Sequence, residues 1–262
     1  MNDLELAIEV VRTGATVATS YLDRPLRVHR KGIGSSVVTK ADVEAEHAMV
    51  ALLKANRPQD GILGEEGSRL PGARTWVVDP IDGTENYVVQ DPLWCTAVAL
   101  IDAEGAVVSA VHHQASGDTF YALRGAGAWH CVERTSVADR SLKHARLATY
   151  VSTPVGLQAL LPLIEEVATV RMWGSGTMEL AWLAGGRLDI WIQPDVEIWD
   201  WVPGALLVQE SGGEAFILTV RGVTWNVACS RGLRSSIEVA LGRTAADTVG
   251  RTPGGKRQGV EQ

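Results

Sequence analysis

Apolar residues recur at helical spacing from the start of the chain. Leu4, Ala7, Ile8, Val11, Ala15 and Ala18 share one face and predict an amphipathic helix over residues 3–22. A short strand is expected at 26–28 and a Gly-Ile-Gly-Ser-Ser loop at 32–36. Thr39 and Asp42 have the spacing of a capping box and open a second helix to about residue 55. Short apolar runs at 62–63, 75–78, 96–101, 106–111 and 119–123 then alternate with turn residues, which predicts an antiparallel sheet fed by the two helices. After about residue 140 strands and helices alternate: a strand at 146–151, a helix at 156–168, a strand at 170–173, and a helix at 177–184 closed by Gly185-Gly186. A strand at 189–192, a helix capped by Asp200 and running to about 211, strands at 215–218 and 227–230, and a helix at 235–241 follow. Parallel or mixed pairing is expected here. The organisation is therefore an N-terminal α+β half (1–140), a C-terminal α/β half (141–242) and a polar, disordered tail (243–262), with the halves sharing a sheet–helix interface.

Composition narrows the function classes. A chain of 262 residues that is 46% apolar can bury a substantial core. A formal charge of −7 argues against binding a nucleic-acid backbone, which needs clustered Lys and Arg. Cys95, Cys131 and Cys229 are far apart and lack any C-x-x-C spacing, so neither a disulfide framework nor a zinc site is indicated. No signal-peptide pattern opens the chain and no apolar stretch approaches a membrane span, so a soluble cytoplasmic protein is expected.

The chemistry concentrates in Trp76-Val-Val-Asp-Pro-Ile-Asp-Gly-Thr-Glu-Asn86. Asp79 and Asp82 lie where an apolar strand should stop at Pro80, and Gly83 lets the backbone approach a bound group. Two carboxylates converging there suit a hard cation such as Mg²⁺, shared with a substrate phosphate. The plain alternative is an Asp-Pro strand end followed by an Asp-Gly turn. Three further elements carry acids: Gly64-Glu65-Glu66-Gly67 after a strand, Trp199-Asp200-Trp201 at a helix start, and Asp42. Each alone is explained by solvation or capping; together they are harder to dismiss.

The order Gly64-Glu65-Glu66, Asp79-Pro-Ile-Asp-Gly-Thr84 with Asn86, Trp199-Asp200 and Glu210-Ser-Gly-Gly213 resembles the inositol monophosphatase family over roughly residues 4–241. The resemblance implies a layered αβαβα sandwich, of α+β or α/β class, and Mg²⁺-dependent hydrolysis of small phosphate monoesters by activated water, with two or three ions per site. It implies one ion on Glu65, Asp79 and the Ile81 carbonyl, a second on Asp79, Asp82 and Asp200, and a weaker third on Glu65. Thr84 paired with Asp42 would activate water, Glu66 would support from behind, and the Gly83 and Thr84 amides would bind phosphate oxygens. Ser175 and Gly176 would lie against the alcohol portion. Where many relatives have a substrate-contacting glutamate seven residues before Asp200, this chain has Gln193, which removes a charge that an amine could pair with unless Asp195 or Glu197 replaces it. The resemblance also makes a homodimer the expected assembly.

Inositol monophosphate is the first substrate candidate and histidinol phosphate the second. No basic cluster for a second phosphate is evident, and there is no Walker A pattern. Among Trp173, Trp191, Trp199 and Trp201, one or two could wall the alcohol pocket. His112 and His113 should face opposite sides of a strand and serve structure. A phosphatase with an aspartate nucleophile is a mechanistic rival, but D-x-x-D-G-T is one residue longer than its D-x-D-G-T signature. A non-catalytic, partner-binding relative is the alternative from another class; its usual sign, a missing metal ligand, is not present.

Overall fold

In the computed structural model, which describes residues 1–22, 28–30, 37–220 and 222–242, the first helix starts at a reciprocal cap. The Glu5 amide donates to the Asn2 side chain and the Asn2 amide to the Glu5 carboxylate, each at 2.9 Å, and α1 (Asp3–Thr19) buries Leu6, Val10, Val11 and Ala15. The expected loop at 32–36 and tail at 243–262 lie outside the described residues. So does the strand expected at 26–28, apart from Val28, which opens β1 (Val28–Arg30); β1 pairs with β2 (Val37–Thr39). Thr39 then caps α2 (Lys40–Asn56), with Asp42 completing the capping box as expected.

The first sheet comprises β3 (Gly61–Gly64), β4 (Arg69–Leu70), β5 (Thr75–Asp82), β6 (Cys95–Asp102), β7 (Gly105–His113), β8 (Asp118–Leu123), β9 (Gly127–His130) and β10 (Glu133–Arg134). Its spatial order is β10-β9-β8-β7-β6-β5-β3-β4, and every pairing is antiparallel except β3 with β5. The short helix α3 (Thr84–Val88) follows β5. The second half supplies β11 (Arg146–Thr149), α4 (Pro154–Ile164), β12 (Thr169–Arg171), α5 (Gly176–Ala184), β13 (Ile190–Pro194), α6 (Ile198–Glu210), β14 (Glu214–Val220), β15 (Val223–Cys229) and α7 (Arg234–Gly242). Its sheet, ordered β12-β11-β13-β15-β14, is mixed as expected: β11 is parallel to both neighbours and the other pairs are antiparallel.

Packing arranges these elements in five layers. Leu6 and Val10 of α1 and Met49 and Leu53 of α2 pack on Trp76, Val98 and Val108 of the first sheet. On its other face, Phe120 and Val111 meet Leu183 of α5 and Leu207 of α6, and these helices also cover Trp191 and Ala228 of the second sheet. Leu160 and Leu163 of α4 and Ile237 and Leu241 of α7 close the outer face over Ile190 and Val227. The result is an αβαβα sandwich, each amphipathic element burying its apolar side against the next.

Two local expectations are corrected. Pro80 does not end the strand: β5 runs on to Asp82, pairing Asp79 with Ala97 and Asp82 with Cys95 across a register shift. An irregular stretch of ladder tolerates a residue without an N–H, and the Pro80 carbonyl is still satisfied by the Thr96 hydroxyl at 2.8 Å. Asp200 is not a helix cap either; Glu197 holds that position, and Asp200 sits inside the first turn of α6.

Candidate active site

The β5 irregularity decides where its carboxylates point. Residues three apart on a regular strand face opposite sides, but the segment from Asp79 to Asp82 spans three steps against two on β6, and the extra residue turns both side chains one way. Asp200 reaches the same place from α6. One carboxylate oxygen from each of Asp79, Asp82 and Asp200 lies within 4.8 Å of the others.

These three acids differ in how they are held. Asp82 Oδ2 accepts the Ser175 hydroxyl at 2.5 Å and the Thr177 amide at 2.9 Å, while the Thr177 hydroxyl donates to the Asp200 carbonyl at 3.1 Å. The start of α5 thus brackets two acids from distant parts of the chain. Asp79 is buried and neither of its oxygens has a hydrogen-bond partner. Burial, followed by the charges of Glu65, Asp82 and Asp200, pushes its carboxyl well above the usual range. Burial also raises Asp82, and burial with the Asp82 and Glu65 charges raises Asp200 well above it. Such a group keeps its negative charges only if a cation shares them. The orphaned oxygens of Asp79 and the all-carboxylate donor set therefore fit a hard divalent ion.

Glu65 lies outside this group of three but lines the same cavity, of about 520 Å³. Its turn is held by a residue that the sequence reading missed. Glu46 is 1% exposed, and its carboxylate accepts the amides of Glu66 at 2.6 Å and Ser68 at 2.9 Å. A signal was present: Glu46 stands one helical turn after Asp42, in the buried stripe of α2 that also holds Met49 and Leu53.

Asp42 acts both as a cap and as a partner of Thr84. Its Oδ2 accepts the Thr39 amide at 2.8 Å and hydroxyl at 2.6 Å, and its Oδ1 lies 3.2 Å from the Thr84 hydroxyl. That hydroxyl is also 3.0 Å from the Ile81 carbonyl. Burial raises the Asp42 carboxyl against the pull of these hydrogen bonds. Gly83, at φ +95°, starts α3; a side chain there would press on the Gly174 carbonyl and the Ser175 Cβ at 3.1 Å.

Ile81, Gly83, Thr84, Gly176 and Gln193 line the cavity with Glu65, Asp82 and Asp200. Ser175 does not: it is fully buried with its hydroxyl turned onto Asp82, so it orients that acid instead of facing the alcohol. Glu66 also lies off the cavity wall, its amide tied to Glu46, and Asp195 and Glu197 are exposed outside it. Of the four tryptophans, Trp173 lines the cavity, Trp191 and Trp201 stack with centroids 5.7 Å apart, and Trp199 lies under the Arg69 guanidinium. His112 bonds Thr119 and His113 reaches the Pro92 carbonyl, so they share no site.

A second carboxylate was missed. Glu179 of α5 lines the cavity and accepts the Trp173 amide and the Trp191 indole N–H, each at 3.0 Å. Burial pushes it up to about 8 although these donors favour the anion.

Comparison with known proteins gives the family. The model of the inositol monophosphatase family matches residues 2–249. The chain is 36% identical to an inositol-1-monophosphatase of Caulobacter vibrioides over 201 residues, covering 72% of this chain and 78% of that protein. It is 33% identical to a histidinol-phosphatase of Streptomyces coelicolor over 233 residues, covering 81% and 85%. The solved structure of the extragenic suppressor protein SuhB of Bartonella henselae matches at a TM-score of 0.84 and 27% identity, covering 90% of this chain and 97% of that one. With the five-layer sandwich and its buried acids, these matches show that the chain belongs to the inositol monophosphatase family, a family of phosphoric monoester hydrolases.

Proposed function

We propose that this protein hydrolyses a small phosphate monoester with Mg²⁺, and that inositol monophosphate is its substrate. The buried, unpartnered carboxylate of Asp79 beside Asp82 and Asp200 is the observation that carries the metal requirement. Glu65, Asp79 and the Ile81 carbonyl would hold one ion, and Asp79, Asp82 and Asp200 a second; a third would rest on Glu65. When bound, the ions neutralise phosphate charge and make water more acidic.

The remaining roles belong to the chain's own atoms. The Thr84 hydroxyl has one proton and two acceptors, Asp42 Oδ1 and the Ile81 carbonyl. Directed to Asp42, that proton would leave the Thr84 oxygen free to accept from a water in the cavity, and the Ile81 carbonyl free to serve as a ligand. Asp42, raised by burial, is a base suited to take a proton passed through Thr84. Gly83 and Thr84 would offer amides to the phosphate, and Gly176 and Gln193 would meet the alcohol. Gln193 can both donate to and accept from hydroxyl groups.

A second reading, histidinol phosphate, is favoured by one observation. Glu85 shares the cavity with the Tyr150 and Trp173 rings, and no basic side chain lines it among the described residues, an environment suited to a cationic amine. That lining also leaves a second phosphate without a partner, which speaks against bisphosphates. A homodimer is proposed as well: Val155, Leu157 and Leu161 of α4 expose apolar side chains, and light scattering reads the state.

A phosphate-release screen with Mg²⁺ over inositol, histidinol, sugar and nucleotide monophosphates tests the reading. Inositol monophosphate should give the highest kcat/KM. A higher value for histidinol phosphate transfers the assignment to the second reading, and no Mg²⁺-dependent release from any substrate removes the enzymatic one.

A further inference from the structure

We propose that Asp118, His130 and Cys131 form a second metal site, for a thiophilic divalent cation of the zinc class, near one edge of the eight-stranded sheet. One ligand atom from each lies within 4.8 Å of the others. A carboxylate, an imidazole and a thiol make a borderline-soft donor set that suits Zn²⁺ with a fourth position left to water, whereas the carboxylates around Asp79 are all hard oxygen donors. The cluster lies on β8 and at the end of β9, three strand spacings or about 14 Å across the sheet from β5. It stands independently of the catalytic reading.

The Asp118 and His130 side chains and the Cys131 backbone are each held by a contact outside the trio. Asp118 Oδ2 accepts the Ser116 hydroxyl at 2.8 Å, which leaves Oδ1 directed at His130 Nε2, 2.7 Å away. The His130 ring stacks on Phe120 with centroids 4.4 Å apart. The Cys131 amide donates to the Thr119 carbonyl at 2.8 Å, and its own carbonyl accepts the Tyr121 hydroxyl. Cys131 is an exposed free thiol in the two-residue turn between the paired His130 and Glu133. Outer contacts of this kind fix the direction of a ligand before the ion arrives.

Binding is chemically balanced. The Cys131 thiol gives one proton to solvent as its sulfur becomes the thiolate ligand, and the His130 nitrogen that takes the ion passes any proton it carries to the other ring nitrogen or to solvent. A tetrahedral ion with bonds near 2.1 Å places nitrogen and oxygen ligands about 3.4 Å apart, so the 2.7 Å pair opens by about 0.7 Å. Partly exposed side chains can make that adjustment.

Co²⁺ is the probe, added to the 262-residue chain after chelator treatment and with Mg²⁺ in excess. The expected result is a thiolate-to-cobalt charge-transfer band that saturates at one equivalent and is lost in Cys131→Ser. His130→Ala should weaken Co²⁺ binding at least tenfold, about 1.4 kcal/mol. Mg²⁺-dependent turnover should be unchanged in Cys131→Ser, since that residue is remote from the cavity. Absence of the band at saturating Co²⁺, its survival in Cys131→Ser, or unaltered affinity in His130→Ala overturns the proposal.

Discussion

The Glu46 carboxylate occupies the space that a side chain on Gly64 would need, so a Cβ on that glycine would overlap it. The same carboxylate accepts the Glu66 and Ser68 amides. A buried acid on α2 thereby shapes the turn that presents Glu65 to the cavity. Glu46→Gln keeps the volume but turns an NH₂ group toward one of those two donors. Loss of such an outer contact typically costs 10–100-fold in metal affinity. The Mg²⁺ concentration for half-maximal activity should therefore rise about tenfold or more in a folded protein whose saturated kcat changes less. An unchanged Mg²⁺ dependence would mean that the turn does not position a ligand.

Asp79→Asn separates function from stability. The wild-type carboxylate is buried with neither oxygen partnered and lies among other acids, so the metal-free fold bears its cost. A neutral amide relieves the repulsion and can donate to a neighbouring carboxylate. Turnover should fall to background while the metal-free variant becomes more stable, by on the order of 1 kcal/mol. Mg²⁺ should raise the Tm of the wild type and leave that of the variant unmoved. Near-normal Mg²⁺-dependent activity in the folded variant would remove Asp79 from the metal set.

Much of this site could be read from the chain, because its acids sit in short local patterns. The Thr39–Asp42 cap, the strand before Glu65, and the Asp79–Asp82 pair were all visible as spacing. What failed to show depended on three-dimensional detail. Pro80 argued for a strand end, and only the pairing with β6 shows that β5 continues through an irregularity that aligns both aspartates. Ser175 was expected against the alcohol because the resemblance places its turn there, yet the residue is fully buried and its hydroxyl donates to Asp82. Glu179 was missed because its partners, Trp173 and Trp191, come from separate segments. The Asp118, His130 and Cys131 cluster has no signature spacing, since it forms only when β8 pairs with β9.

Glu179 gives stability a pH dependence. Its pKa in the folded protein, about 8, exceeds the ordinary 4.5 expected of the unfolded chain. Below the lower value both states hold the proton and the group is neutral toward folding. Between the two values the unfolded chain gives up the proton more readily, so rising pH favours unfolding until the folded pKa is passed. Urea unfolding at about pH 5 and about pH 8 should show wild type losing more stability across that window than Glu179→Gln, whatever the absolute offset between them. Parallel profiles would mean that the buried group is already ionised across the window.

Gln193 tests the alcohol side of the cavity. It lines the wall with Gly176, and its Oε1 would lie 3.4 Å from a Cβ on that glycine, so the two walls are in close register. A neutral amide serves hydroxyls in both directions but offers nothing to a positive charge. Gln193→Glu adds a carboxylate to a wall whose other acid, Glu179, is pushed up to about 8 and holds its proton near neutral pH. It should therefore raise kcat/KM for histidinol phosphate relative to inositol monophosphate by roughly tenfold, about 1.4 kcal/mol, for a partly screened ion pair. The change should be mainly in KM, because the contact lies away from the reacting phosphorus and is made equally in ground and transition states. If the ratio stays constant while both rates persist, the side chain does not touch the substrate, and selectivity must come from Tyr150, Trp173 or Glu85 on the same cavity.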